Sequence, residues 1–442
     1  MARVLCINPW IVDFAAYNLW IEPLGLLTVA GMCRQAGHQV AWLDCLDRHH
    51  PAAPAPQSPQ DQYGCGRFLK TELPKPPALS HVPRRWGRYG LPVEVFEDDL
   101  AAQGRPDAVL VTSMMTYWYP GPFEVIRRVK AHWPDVPVAL GGVYATLCRQ
   151  HALAHSGADV VWSGAAGNEV LRWVAEVAGE ACPAPSANAS ALPAHDLRRP
   201  HRYVAVQTAQ GCPFQCPYCA VRVLCPEGFV PRPTGEVLDE LAWCVEDLGA
   251  EDVAFYDDAL LHSATAHIHR ILDGILRRGL EVRLHTPNGV HARFIDRALA
   301  RKMRAAGFVT IRLGLETADP RGSWSAAGKV DERSFGRAAQ ALRSAGFSAR
   351  ELAAYVLIAR PGQRPEDALA MACIAQQHGV SVRTAQFSPV PGTVEFEAAV
   401  AAGYVTRDAD PLLHNNSAYP CEHRDVWEAL KREILEGNRR LQ

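Results

Sequence analysis

The 442-residue chain has no uninterrupted apolar run of the ~18 residues that a transmembrane helix needs, so no membrane span is expected. It also lacks a charge imbalance. Its 45 Lys and Arg against 47 Asp and Glu leave a formal charge of −2, and the total suggests no nucleic-acid-binding surface. No secretory leader is read at the start, where "MARVLCINPW" has the composition of a buried strand. A chain that is not exported stays in the reducing cytoplasm, where its 13 cysteines serve as free thiols or metal ligands rather than disulfides. No repeat is visible beyond an alternation of strands and helices. What is present is ordinary globular composition, 48% hydrophobic and 21% charged, in a length that suits two or three domains.

Residues 1–181 alternate short Val/Ile/Leu strands ("RVLCINP", "QVAWLD", "AVLVTS", "VPVALGG", "DVVWSG") with amphipathic helices such as "LGLLTVAGMCRQAG" and "PFEVIRRVKAHW". Nearly continuous apolar strands imply a parallel sheet covered on both faces, the doubly wound or Rossmann-like arrangement, with ligands outside the carboxyl ends of the strands. Residues 50–94 break the rhythm with "HPAAPAPQSPQ" and "TELPKPPALSHVPRR", too rich in proline for helix or central strand. They are expected to form an extended insertion across the site. A Pro/Ala/Ser stretch at 182–200 reads as a linker. From 201 to 402 six further strand-like runs alternate with helical patterns, fewer than the eight of a closed barrel. A partial (β/α)6 barrel is expected, with its functional groups at the strand carboxyl ends. Residues 403–442 form a C-terminal extension.

The first strand of the second domain runs into "QGCPFQCPYCAV", which holds Cys212, Cys216 and Cys219 in a C-x3-C-x2-C spacing. Three thiols on one short Gly/Pro loop can converge on a metal centre. Structural zinc takes four protein ligands, and Cys225 is the next thiol available for it. A 4Fe–4S cluster is the other soft-ligand option, with one iron left open. The remaining cysteines in apolar segments, Cys6, Cys33, Cys45, Cys148, Cys244 and Cys373, read as small core residues.

This spacing, with Tyr218 directly before the third cysteine and six β/α units following, resembles the signature of the radical S-adenosylmethionine (radical SAM) enzymes, C-x3-C-x-aromatic-C. The resemblance implies that Cys212, Cys216 and Cys219 hold a 4Fe–4S cluster. It further implies that SAM binds the open iron and is cleaved to a 5′-deoxyadenosyl radical, and that Tyr218 helps position the adenine. By position in the barrel it implies SAM contacts from Tyr256, Asp257 and Asp258 in "FYDDAL" and from Glu316 in "LGLET". In "YVLIARPGQ", similar to the family's "GLPGQ", Ala359 replaces the usual Gly and Arg360 the usual Leu, which turns Arg360 toward substrate. His285 and His291 in "HTPNGVHAR", with Arg360, are the candidates for catalytic acid, base or substrate contact. The equally weighted alternative for the histidines is a hydrogen-bonded loop role.

The first domain resembles the cobalamin-binding domain that precedes the barrel in a large radical SAM subfamily, on "PLGLLTVAGMCRQAGHQVAWLD", "VTSMMTYW" and "LGGVYAT". That resemblance implies cobalamin contacts from Ser113, Thr116, Trp118, Gly141, Gly142 and Thr146, the glycines allowing close approach of the ring. The D-x-H-x-x-G motif that supplies a cobalt-ligating histidine elsewhere is missing from "NPWIVDFAAYNLWIEPLG", and "DRHHPA", with His49 and His50, follows a different strand. The lower cobalt face is therefore expected to be covered by an aromatic of "TYWYP", Tyr117, Trp118 or Tyr119. The alternative is that these rings only cover the sheet end.

The resemblance implies a cobalamin-dependent methyltransferase acting on an unactivated centre, with a reducing partner such as flavodoxin or ferredoxin. Cyclisation, ring contraction or oxidation, and a first domain that no longer binds cobalamin, are the alternatives. The substrate is not legible.

Overall fold

The computed structural model describes residues 1–54, 60–165, 167–179, 191–198, 202–316, 330–419 and 424–441. They fall into two compact units, Met1–Arg202 with Asp408–Ala418, and Tyr203–Arg407 with Tyr419–Gln442.

In the first unit five parallel strands form one sheet: β1 (Arg3–Asn8), β2 (Gln39–Asp44), β3 (Ala108–Val111), β4 (Val138–Leu140) and β5 (Val160–Val161), in the order 2-1-3-4-5. Alternate residues of β1 serve opposite faces. Leu5 and Ile7 join one core with Phe96, Val125 and Val129, from the helices α2 (Val93–Ala102) and α3 (Pro120–His132). Val4 and Cys6 join the other, with Leu26, Ala30 and Cys33 of α1 (Leu24–Gln35) and Val170 and Val174 of the helix Asn168–Val177. Burial on both faces is why the strands carry no polar alternation. It also pushes the Cys6 and Cys33 thiols up, as expected of core residues.

The insertion is not a simple extended strap. Lys70–Glu72 and Gly87–Tyr89 fold into a three-stranded antiparallel sheet with Ile11–Asp13 of the loop after β1, and Gly66–Arg67 pairs with Tyr17–Asn18. Its prolines lie outside these short strands. Residues 182–190, 199 and 200 of the expected linker lie outside the described residues. Residues 191–198 are bound to the domain rather than free: the Leu192 carbonyl lies against Gly31 of α1, and Arg34 donates to Asp196 Oδ1 at 2.7 Å. Buried His195 has Nδ1 3.3 Å from Glu22 Oε1. The C-terminal extension is divided as well, since Asp408–Ala418 belongs to the first unit.

The second unit is an open barrel of six parallel strands in sequence order: β6 (Tyr203–Val206), β7 (Asp252–Phe255), β8 (Arg283–His285), β9 (Phe308–Glu316), β10 (Leu352–Ile358) and β11 (Ser381–Gln386). Val290–His291 adds a short pairing to β9. Local chemistry sets the helix ends: Asp296 caps the helix Arg297–Ala305, Asp331 and Ser334 form a capping box on Glu332–Ser344, and Gly279 closes Ile268–Arg278 in the left-handed conformation. The final helix, Arg424–Arg440, covers the outer edge of β11, where Asn438 pairs with both the N–H and the carbonyl of Val382 at 2.8 Å.

Candidate metal and cofactor sites

The cysteine loop follows β6. Ala209–Gln210 pairs with Val230–Pro231, so the intervening residues form one closed excursion at the carboxyl end of the first barrel strand. Gly211 starts it with φ +71°, and a Cβ there would meet the Gly228 carbonyl at 2.1 Å, so no other residue fits. The Cys219 N–H closes a turn onto the Cys216 carbonyl at 3.1 Å. Cys212 and Cys216 are buried and Cys219 half-buried. Burial and nearby Asp258 push the Cys225 thiol up, which keeps it protonated and disfavours it as a metal ligand.

Among the described residues, no group of three or more His, Cys, Asp or Glu side chains is arranged to hold a single metal ion. A four-iron cluster takes its thiolates on separate irons, spaced more widely than the ligands of one ion. The thiols of Cys212, Cys216 and Cys219 on one loop are the kind of donor set that such a cluster takes.

Around this loop the candidate residues separate. Asp257 does not face the opening. It is buried, accepts hydrogen bonds from the Thr208 N–H (3.1 Å), the Thr208 hydroxyl (2.6 Å) and the Ala209 N–H (2.8 Å), and thereby anchors the root of the loop. Burial outweighs these bonds and pushes its carboxyl up to about 7. Asp258 is half-buried; burial raises its pKa, against a bond from the Gly211 N–H. Tyr256 is half-buried, with its N–H on the Val206 carbonyl (2.9 Å) and its own carbonyl accepting from Asn288 Nδ2 (3.0 Å).

Tyr218 and Glu316 meet directly, the phenol donating to the carboxylate. The reason is local. β9 shifts register between Gly314 and Glu316, and Glu316 takes φ +63°. A bulge followed by a left-handed non-glycine residue re-aims the side chain, and such strain collects at functional sites.

Three further candidates have partners inside the second unit. His285 is fully buried, with Nε2 2.9 Å from Asp252 Oδ1 and Nδ1 2.8 Å from Thr310 Oγ1, so both nitrogens serve the barrel interior. His291 is buried and stacked on Phe214 of the cysteine loop, ring centroids 4.3 Å apart, which makes it a support for that loop. Arg360 forms an ion pair with Glu395. Ala359 before it adopts φ +60°, the conformation for which glycine is suited, so the Gly-to-Ala departure keeps the loop shape at some strain. Nothing in the sequence pattern pointed to Glu395. Phe214 stands between the first two cysteines in sequence, and that position is the signal for its place on the loop.

In the first unit the strand order reverses between β1 and β3, which opens a crevice at their carboxyl ends. The two glycines there differ. A Cβ on Gly142 (φ +97°) would lie 2.2 Å from the Ser113 carbonyl, so its smallness serves loop packing. A Cβ on Gly141 would meet nothing within 4 Å. Gly141 faces a mostly apolar cavity of about 170 Å³ lined also by Gly25, Val29, Thr112, Trp162 and Val170.

The hydroxyls expected to reach a cofactor are engaged internally. Ser113 donates to the Gly141 carbonyl (2.6 Å) and accepts the Ala145 N–H (3.2 Å). Thr146 donates to the Gly142 carbonyl (2.8 Å) and accepts the Gly164 N–H (2.9 Å). Buried Thr116 has its hydroxyl 3.2 Å from Nδ1 of His414. The segment Asp408–Ala418 holds the aromatic loop: Tyr119 donates to Asp410 (3.0 Å), and Asn415 donates to Asp13 (2.8 Å), which also accepts from the Trp118 indole (2.7 Å). Tyr117 meets Trp118 edge-on. Burial pushes His414 down to about 4, so it is neutral. His50 pairs with Asp99 at 3.1 Å, and His49 lies 3.2 Å from the Gln60 side chain.

The chain is thus an open six-stranded barrel with a three-cysteine loop at the carboxyl end of its first strand, preceded by a doubly wound domain. Residues 206–372 match the Radical SAM superfamily. The chain superposes on the radical SAM methyltransferase TsrM from Kitasatospora setae, solved with cobalamin and a 4Fe–4S cluster bound, at a TM-score of 0.69 over 99% of this chain and 91% of that one, with 15% identity. For the cobalamin-dependent SAM radical enzyme OxsB the TM-score is 0.59 over 91% and 55%, with 11% identity. In sequence it is 25% identical to an uncharacterized methyltransferase of Pyrococcus horikoshii over 48% of this chain and 46% of that protein. It is 24% identical to the hopanoid C-2 methylase of Rhodopseudomonas palustris over 45% and 39%. The matches thus span less than half the length of these curated relatives. Among the described residues no helix is long and apolar enough to cross a membrane.

Proposed function

We propose that the protein is a cobalamin-dependent radical SAM enzyme that transfers a methyl group to an unactivated centre of its substrate. The observation that carries this reading is the position of Cys212, Cys216 and Cys219, together on one closed excursion at the carboxyl end of β6. The cavity beside Gly141 supports the cobalamin half. Two relatives named for methyl transfer favour that reaction over cyclisation, ring contraction or oxidation.

When bound, the cluster supplies the electron that splits SAM to a 5′-deoxyadenosyl radical, and cobalamin carries the methyl group. The protein's part is to hold and orient. Cys212, Cys216 and Cys219 would hold the cluster, and three protein ligands would leave a place for SAM. Tyr256 and Asp258 would meet the amino group of SAM, Glu316 its ribose or amino group, and Tyr218 would help position the adenine. Asp257, Phe214 and His291 keep the loop in place. The reading calls for a low-potential reductant such as flavodoxin or ferredoxin and a cytoplasmic setting in which thiols stay reduced.

The test is anaerobic reconstitution with iron, sulfide and cobalamin, followed by incubation with SAM labelled in its methyl group and cell extract. About four irons per chain, retained corrin, 5′-deoxyadenosine and a labelled product are expected. A protein that takes up no iron, or cleaves no SAM, overturns the reading.

A further inference from the structure

Arg360 and Glu395 form a buried ion pair, their side chains 13% and 7% exposed. Arg360 lies two residues beyond the end of β10, and its Nε donates to Glu395 Oε1 at 2.8 Å, with Nη2 reaching the same oxygen. Glu395 lies in the first turn of the helix Val394–Ala401, which Thr393 caps. Its own N–H donates to the Pro217 carbonyl at 3.0 Å. Pro217 is the residue between Cys216 and Tyr218. Three residues before Glu395, Gly392 abuts Val223, where an added Cβ would stand 3.0 Å from the Val223 side chain. The segment 392–395 therefore touches the cysteine excursion at two points, and one of them is the backbone of the glutamate that Arg360 holds.

The pair has a weak side. Glu395 Oε2 is buried and has no hydrogen-bond partner among the described residues. The charge of Glu395 is thus compensated through one oxygen. Deleting one member of a buried pair strands the other, whereas replacing both by apolar residues of similar volume removes the problem. A stranded Glu395 would move toward water and take the Pro217 contact with it.

We propose that Arg360 and Glu395 are positioning residues that clasp the cysteine loop at Pro217 and so set the surroundings of the metal centre. This rests on the reading that the loop holds a cluster. Hydrogen exchange on the metal-free full chain tests the clasp itself. Arg360→Leu is expected to speed amide exchange in the peptide 211–224 at least tenfold, and Arg360→Leu/Glu395→Leu to return it to near the wild-type rate. After reconstitution, Arg360→Leu and the milder Glu395→Gln are expected to alter the electron paramagnetic resonance line shape of the reduced cluster. Both should also shorten its lifetime under a chelator several-fold. Unchanged exchange in Arg360→Leu, or no rescue by the second substitution, overturns the clasp. A wild-type protein that takes up no iron overturns the cluster reading instead, and the exchange result still decides the clasp.

Discussion

The indole N–H of Trp118 donates to Asp13 Oδ2 at 2.7 Å, which ties the aromatic loop after β3 to the loop after β1 across the strand-order reversal. Both loops belong to the crevice where cobalamin is proposed to bind, and neither contains a histidine. In the cobalamin-loaded Co(II) protein, electron paramagnetic resonance is expected to show no nitrogen hyperfine splitting from an axial ligand, and Trp118→Ala to reduce corrin retention. A resolved nitrogen triplet would put a histidine, or the cofactor's own base, on cobalt.

The glycine pair gives a sharper comparison. Gly141→Val places its side chain in the open cavity without a backbone clash, so the protein is expected to keep its fold and iron and lose corrin on gel filtration. Gly142→Val drives a side chain into the Ser113 carbonyl and is expected to lower the unfolding temperature of the first unit as well. Equal corrin retention in wild type and Gly141→Val would remove that cavity from the cobalamin site.

Cys212→Ala, Cys216→Ala and Cys219→Ala are each expected to abolish the cluster and SAM cleavage, because each removes one of three protein ligands. Cys225→Ala should keep both. Iron analysis and 5′-deoxyadenosine formation decide this, and loss of iron in Cys225→Ala alone would reverse the ligand assignment.

Glu316→Ala is expected to weaken SAM binding about 10- to 100-fold by calorimetry while iron content stays unchanged, the range for losing a hydrogen bond to a charged group. Tyr218→Phe removes the phenol that engages Glu316 and should have a smaller effect of the same sign. SAM affinity unchanged in Glu316→Ala would leave the carboxylate as a partner of Tyr218 alone.

Asp257 links the loop root to pH. Its folded-state value of about 7 lies above the ordinary carboxyl value of 3.8. The stability this proton contributes is full below about 3.8 and is lost as pH rises through 7, at a slope of at most about 1.4 kcal/mol per pH unit. The groups around it are Thr208, whose hydroxyl lies 2.7 Å from His267 Nε2, and Asp258, whose charge adds to the rise. Melting of the second unit should therefore fall from pH 4 to 7, and Asp257→Asn should flatten that fall. Parallel curves would mean that Asp257 is ionised throughout.

The parallel sheet and the six-strand barrel are legible in the sequence because strands buried on both faces write their burial into uninterrupted Val, Ile and Leu. The cysteine loop was legible because its donors are neighbours in sequence. The partners of the candidate residues were not. His285 reads as a rim histidine until Asp252 and Thr310 enclose it, and Arg360 reads as a substrate contact until Glu395, 35 residues on, takes its charge. The internal bonds of the Ser113 and Thr146 hydroxyls are not legible either, because a sequence does not record that a nearby backbone carbonyl is available. The insertion reads as extended in sequence because proline marks what a segment cannot form, not what its proline-free stretches pair with.

The return of Asp408–Ala418 to the first unit has a consequence for synthesis. As the chain leaves the ribosome, the parallel sheet of residues 1–202 is complete long before Asp410, His414 and Asn415 exist to engage Tyr119, Thr116 and Asp13. At about 5–20 residues per second, the roughly two hundred intervening residues impose a wait on the order of 10–40 seconds. For that interval the aromatic loop lacks its late partners, and a ribosome stalled before residue 408 would hold a folded sheet with an unfinished crevice.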